Sequence, residues 1–294
     1  MKGPSTWYRN PWRKPHVLQV VTWGYLVWSL VPVLAAILIS FNSGRSSASF
    51  QGFSFQWWAG APQGDRQGSL FTSPELHAAI VQTVRLSVIS MLIAVPLGVS
   101  FAIGLDRWRG RVAATANFWM LVSFVVPEII IGVALFLTFT YTLHAAIKLG
   151  TTAQIIGLVA FQVSYPVIVV RARLLSIGKE FEEAAMDLGA PPRAAIRRIL
   201  LPMLYPAIFA SFALVFADVV DDFVTVRYLS GGSNTETLSV KIYSAARATP
   251  SPVYNAAATF MLFTTVLVIA VVYVLYKRFG RGQTASATEF STQL

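Results

Sequence analysis

The sequence predicts an all-α integral membrane protein with six transmembrane helices, and three observations carry that expectation. First, of 294 residues 55% are hydrophobic and only 12% charged, with a mean hydropathy of +0.60; a soluble domain has roughly 25% charged residues. Second, six apolar stretches reach the ~20 residues a helix needs to cross the hydrocarbon: 17–41, 79–105, 113–142, 152–170, 203–228 and 256–276. Third, the positive charges alternate between the segments joining these stretches. With the N-terminus inside, sixteen Lys and Arg fall on inner segments (four before the first stretch, three at 107–111, six at 171–198, three at 277–281) and six on outer ones. That bias places both termini in the cytoplasm. The net charge of +10, which in a soluble protein would suggest a nucleic-acid partner, is then topological, with the anionic inner leaflet as its counterpart.

Taken in order, residues 1–16 form a cytoplasmic N-terminal segment. The first stretch is too long for a signal-peptide core and is followed by no small-residue cleavage site, so it reads as a retained anchor. Residues 42–78 form a long outer segment containing GFSFQWW (Gly52 to Trp58), aromatics suited to a membrane interface or to a partner's surface. The third stretch carries Pro127 and Glu128 at its middle. A charged hairpin at 178–201 separates the fourth and fifth stretches. Residues 229–255 are rich in Ser, Thr, Gly and Pro. The six-helix domain spans 17–278, and the polar, small-residue tail 279–294 reads as disordered.

Several chemistries are excluded or unsupported. The absence of Cys excludes disulfides, thiolate zinc sites and cysteine nucleophiles. His16, His77 and His144 have no ligand spacing, and no metal or cofactor is expected. No G-x-x-x-x-G-K-[ST] run and no Ser/His/Asp set is present, so the chain is not expected to be an enzyme or to hydrolyse ATP by itself.

The hairpin reads EEAAMDLGAPPRAAIRRILLP from Glu182 to Pro202. Phe181, Ala184, Ala185 and Leu188 recur at helical spacing on one apolar face, while Glu180, Glu183 and Asp187 share another. Gly189 suits the left-handed position that closes a helix, and Pro191 or Pro192 begins a second helix through Leu200. Two readings fit these residues. One is an ordinary cytoplasmic hairpin whose arginines hold topology; the other is a rigid elbow offering small side chains to a groove on a soluble partner.

The spacing itself matches a known pattern. Glu183-Ala184-Ala185, three residues, Gly189, nine residues and Ile199-x-Leu201-Pro202 resembles the EAA motif of ABC importer permeases. That resemblance implies a type I ABC importer permease fold in which this helix docks into a nucleotide-binding subunit, with Glu183, Ala184, Ala185, Asp187 and Gly189 as coupling residues. The stretches SFNSGRS, VPEIIIGVALFL, DDFVTVRYLSGG and VKIYSAARATPSPVYNAAAT extend it from about 17 to 278 and are similar to the permeases of spermidine/putrescine importers. It implies, as partners, two ATPase subunits that bind ATP and Mg, a second homologous permease and an extracytoplasmic solute-binding protein, in the bacterial cell membrane. One departure from the pattern is Asp218, an acid where small or apolar residues are expected.

Carboxylates within the membrane stretches are the other signal. Asp218, Asp221 and Asp222 have spacings of three and four and project from one side of the fifth stretch, and Glu128 lies in the third. Each costs about 2.5–3.5 kcal/mol near a bilayer centre, so none should face lipid. They line a solute pathway, or form an acidic rim at the outer mouth, and Glu128 alternatively caps backbone freed by Pro127. An importer of polyamines or other small polar solutes, an ion-gradient transporter or channel, and a docking scaffold are the function classes left open.

Overall fold

The computed structural model describes residues 16–60, 68–108, 110–248 and 250–291. The expected N-terminal segment therefore lies, apart from His16, outside the described residues. The described chain is helical, with one isolated antiparallel bridge between Asn42 and Phe53. Helix α1 (His16–Ser40) leads through the single turn α2 (Gln56–Ala59) to α3 (Pro74–Arg107), α4 (Arg111–Val125) and α5 (Glu128–Leu137). Then come α6 (Thr151–Gln162), α7 (Ser164–Ile177), α8 (Glu180–Asp187), α9 (Pro192–Ala195), α10 (Leu201–Asp221), α11 (Val224–Leu229), α12 (Leu238–Ala248) and α13 (Pro252–Ser291).

Among the described residues five helical runs are long and apolar enough to cross a membrane, and the pair Arg111–Val125 and Glu128–Thr142, bent by 102°, makes a sixth if counted as one span. The third stretch is thus broken, not straight. Val126 is extended, as a residue before proline tends to be, and Pro127 has no N–H to continue the ladder. The fifth stretch ends earlier than its apolar run: α10 stops at Asp221, and α11 starts again after Asp222 and Phe223. At its other end, α9, a π-helical turn at Ile196–Leu200 and α10 form one 30-residue helix, Pro192–Asp221. The second helix of the hairpin is therefore the start of the fifth span. Leu201 N–H reaches back to Ile196 O, a wide turn that makes room for the Pro202 ring. Helix α13 runs from Pro252 to Ser291, with no proline inside it.

The core forms where α10 packs against α3, α7 and α13, and α3 against α6 and α7. Leu86, Val95, Val167, Val170, Leu204 and Val215 fill its centre. A second cluster, Trp57, Leu70, Phe216, Leu238 and Val253, seats Trp57 and Leu70 against α10, α12 and α13. Trp57 is fully buried and its indole N–H donates to Asn42 O at 2.7 Å, whereas Phe53 and Phe55 remain exposed, so GFSFQWW combines a structural anchor with interface-facing rings. Helix α1 packs on α13 and leaves most of its apolar surface outward, as suits contact with lipid acyl chains.

Gly98 sets the α3–α7 distance, since a Cβ there would stand 2.6 Å from Pro166 Cγ and 2.9 Å from Val163 O. At Gly104 on the same helix nothing lies within 4 Å. Gly98→Ala is expected to cost about 1–3 kcal/mol by overpacking and to lower the thermal unfolding midpoint in detergent, while Gly104→Ala leaves it unchanged or raises it.

Candidate functional site at two helix breaks and a charged elbow

The two interruptions of the spans meet. Glu128 opens α5 at the 102° break, and Asp222 follows the last residue of α10. Helix α11 packs on α5 and α6, which brings the Asp222 and Glu128 carboxyls within hydrogen-bonding reach of each other. Thr225 Oγ1 donates to Glu128 Oε1 at 3.4 Å, and Val226 N–H donates to Asp222 Oδ1 at 3.3 Å. Asp222 thereby satisfies a donor at the start of α11 that has no carbonyl within its own helix. Ser239 Oγ donates to Asp222 O at 2.8 Å, tying α12 to the same break.

Asp218, one turn before Asp222, joins this cluster and accepts from Gln162 Nε2 at 2.6 Å. Tyr165 stands within electrostatic reach of Asp218, Glu128 and Asp222. Its ring meets Phe124 and Phe161 edge-on, with centroids 5.7 and 5.9 Å apart. Three of the four predicted carboxylates are thus gathered with an aromatic group and an amide. Asp221 is within electrostatic reach of Asp218 but borders a different space, a cavity of about 430 Å³ between α1, α10, α12 and α13. The face expected for 218, 221 and 222 divides because at 100° per residue Asp221 and Asp222 lie about 60° and 40° to opposite sides of Asp218, about 100° from each other, and the chain leaves the helix at Asp222.

Gln162 and Tyr165 escaped the sequence reading. A lone Gln within the apolar run LVAFQVSYP was the available signal, since an amide at membrane depth requires a partner. Beside the cluster, a buried polar network fixes α11: Gln82 Nε2 donates to Gln154 Oε1 and Thr151 Oγ1, and Gln154 Nε2 donates to Val226 O and Thr235 O.

The elbow lies at the opposite end of α10. Helix α8 carries Glu180, Glu182 and Glu183 in its first turn, where the helix dipole favours acids. It closes as a Schellman motif: Gly189 N–H bonds to Met186 O at 2.9 Å, Ala190 N–H bonds to Ala185 O at 3.0 Å, and Gly189 has φ +89°. Pro191 is extended and Pro192 starts α9. Of the apolar set on α8 only Ala185 is buried, together with Glu182. Phe181, Ala184 and Leu188 point outward, Leu188 with 90% exposure, next to the exposed Glu183, Asp187 and Gly189. The inward position of Glu182 follows from its partner. Arg107, the last residue of α3, donates through Nε to Glu182 Oε2 at 3.2 Å and pairs through Nη2 with Oε1, while Nη1 meets Asp106. Helix α8 is therefore braced on α3 as well as on α9 and the π turn.

Membrane-length helices, carboxyls held at helix breaks and an exposed charged elbow define a membrane transport subunit. The profile of the family described as "Binding-protein-dependent transport system inner membrane component" matches residues 94–284, and the chain belongs to that family. It is 30% identical over 259 residues to the putrescine transport system permease protein PotI of Escherichia coli strain K12, covering 86% of each chain. It is 28% identical over 254 residues to the spermidine/putrescine transport system permease protein PotC of the same strain, covering 86% of this chain and 91% of that one. Among solved structures, a bacterial ABC transporter involved in import of the acidic polysaccharide alginate superimposes with TM-score 0.70 at 16% identity, over 89% of this chain and 95% of the other. The inward-facing MetNI methionine ABC transporter gives 0.55 at 19% identity, over 72% and 99%. The fold is that of an ABC importer permease.

The bidentate Arg107–Glu182 pair generates a test. Arg107→Glu or Glu182→Arg alone should speed amide exchange across 180–190 by roughly tenfold or more, because each sets like charges against each other at a largely buried site. The double reversal should recover most of the protection.

Proposed function

We propose that this inner-membrane component is the permease subunit of an ATP-driven importer of small polyamines such as putrescine or spermidine. The observation that carries the reading is the continuous helix Pro192–Asp221, which joins the elbow to the carboxyl cluster. The names of the relatives, both polyamine permeases, support the substrate class. So does the chemistry of the cluster, because closely placed carboxyls in low dielectric repel each other and an ammonium between them removes that repulsion.

In this account Glu128, Asp218 and Asp222 line the pathway, and Asp221 serves the outer mouth. Carboxyls only half buried in this chain must not meet lipid, so a second homologous permease covers them. The exposed face bearing Glu183, Ala184, Asp187 and Leu188 docks on an ATPase subunit, with Ala185 and Gly189 fixing the shape of the elbow. ATP and Mg are bound by two such subunits, and this chain supplies no cofactor site. The positive-charge bias puts the elbow in the cytoplasm and the 42–78 segment outside, where a solute-binding protein delivers the amine. ATP-driven closure draws the coupling helices together, tilts α10 and opens the pathway outward; release of the products of hydrolysis reverses it. The chain's own residues bind the cation and carry the displacement, and the bond-breaking chemistry takes place in the ATPase.

The purified complex should hydrolyse ATP faster when amine-loaded binding protein is added. Amine uptake that persists after the ATPase partner is removed would overturn the proposal. Within the complex, Glu183→Ala and Gly189→Pro should each reduce uptake at least ~10-fold and weaken ATPase association without affecting membrane insertion; Pro at 189 cannot adopt the observed positive φ. Unchanged uptake in both variants would defeat the coupling assignment.

A further inference from the structure

One side-chain atom beside the carboxyl cluster has no role in that account. Gln162 is completely buried; its Nε2 is committed to Asp218, and its Oε1 has no hydrogen-bond partner. Native interiors leave few buried acceptors unpaired, and each such atom requires an explanation. Tyr165 lies three residues on, so the two side chains share one side of the chain near the α6–α7 junction. The Tyr165 ring is held edge-on between Phe124 and Phe161, within reach of Asp218, Glu128 and Asp222.

We propose that Gln162 and Tyr165 are specificity-determining residues that complete, with Asp218, a recognition site for an N–H-bearing organic ammonium group. Asp218 balances the charge, Gln162 Oε1 accepts one of the ammonium hydrogens, and the Tyr165 ring receives the adjoining methylenes and the cation. The proposal rests on the amine reading above and adds to it the chemical feature that is read.

The donor set favours an organic cation over a metal ion. An aromatic face attracts weakly hydrated alkylammonium groups, while divalent metals require several oxygen ligands in a closed shell. Among the described residues no group of three or more His, Cys, Asp or Glu side chains could hold a metal ion. A neutral amide acceptor beside a carboxylate also rewards N–H donors specifically. A site built to hydrogen-bond a donor discriminates against an analogue lacking it, because its own polar group is then stranded. A quaternary ammonium, with methyl groups in place of hydrogens, leaves Gln162 Oε1 as unpaired as it is now.

The test uses the complete transporter in proteoliposomes, with its ATPase subunits, second permease and binding protein, and radiolabelled putrescine as the probe. The readout is putrescine moved per ATP hydrolysed. A merely structural defect depresses uptake and ATPase together and leaves that ratio alone. Gln162→Leu and Tyr165→Leu are expected to lower the ratio roughly tenfold, while Tyr165→Phe, which keeps the ring, stays within about twofold of the unmodified protein. The Tyr165 pair decides the matter if Gln162→Leu fails to assemble. An unchanged ratio in the two Leu variants, or equal losses in Tyr165→Phe and Tyr165→Leu, overturns this assignment and leaves the amine reading standing. Failure of the unmodified transporter to move putrescine or spermidine removes the amine reading itself, and this inference with it.

Discussion

The arrangement depends on the cost of placing polar groups in hydrocarbon. A helix that stops inside a membrane leaves carbonyl and amide groups without partners, and a charged side chain there is similarly penalised. This chain solves both problems at one place. The breaks at Val126–Pro127 and at Asp222–Phe223 lie together, so Thr225 meets Glu128, Val226 N–H meets Asp222, and Asp218 meets Gln162.

The second determinant is mechanical. Glu182 is locked to Arg107 on α3, and Gly189 turns the chain directly into the helix that ends at the cluster. From Pro192 to Asp218 is about 39 Å at 1.5 Å per residue, most of the membrane's thickness. A push on the exposed face of α8 therefore reaches the carboxyls through backbone hydrogen bonds, without a flexible linker. The irregularities along that route, the π turn at Ile196–Leu200 and Pro206 within α10, both sit toward its elbow end.

Much of this was legible in the sequence. Hydropathy located the spans because a run of ~20 apolar residues has few other uses, and the Gly189-Pro191-Pro192 punctuation located the elbow to the residue. Tertiary packing hid the rest. Periodicity grouped Phe181, Ala184, Ala185 and Leu188 on one face but did not give the direction in which that face turns, and a helix lying at the end of a bundle can turn an ion-paired Glu182 inward when Arg107 is there to receive it. The three aspartates shared a nominal face only while the helix was assumed to continue past Asp221. The meeting of Gln162 and Tyr165 with Asp218 depends on the α6–α7 junction packing against α10, a contact between residues far apart in the chain, and composition reports nothing of that.

The central claim is that the elbow and the carboxyl cluster move as one body. Because the sequence has no Cys, spin labels can be introduced at Arg193 and Leu214 alone, both exposed and both on the Pro192–Asp221 helix. Their separation, about 30 Å by helical rise, should be measured by pulsed electron resonance in the assembled transporter with and without a non-hydrolysable ATP analogue. The account predicts the same distance in both states. A nucleotide-dependent change in that distance, with the helix bending at the π turn, would contradict it.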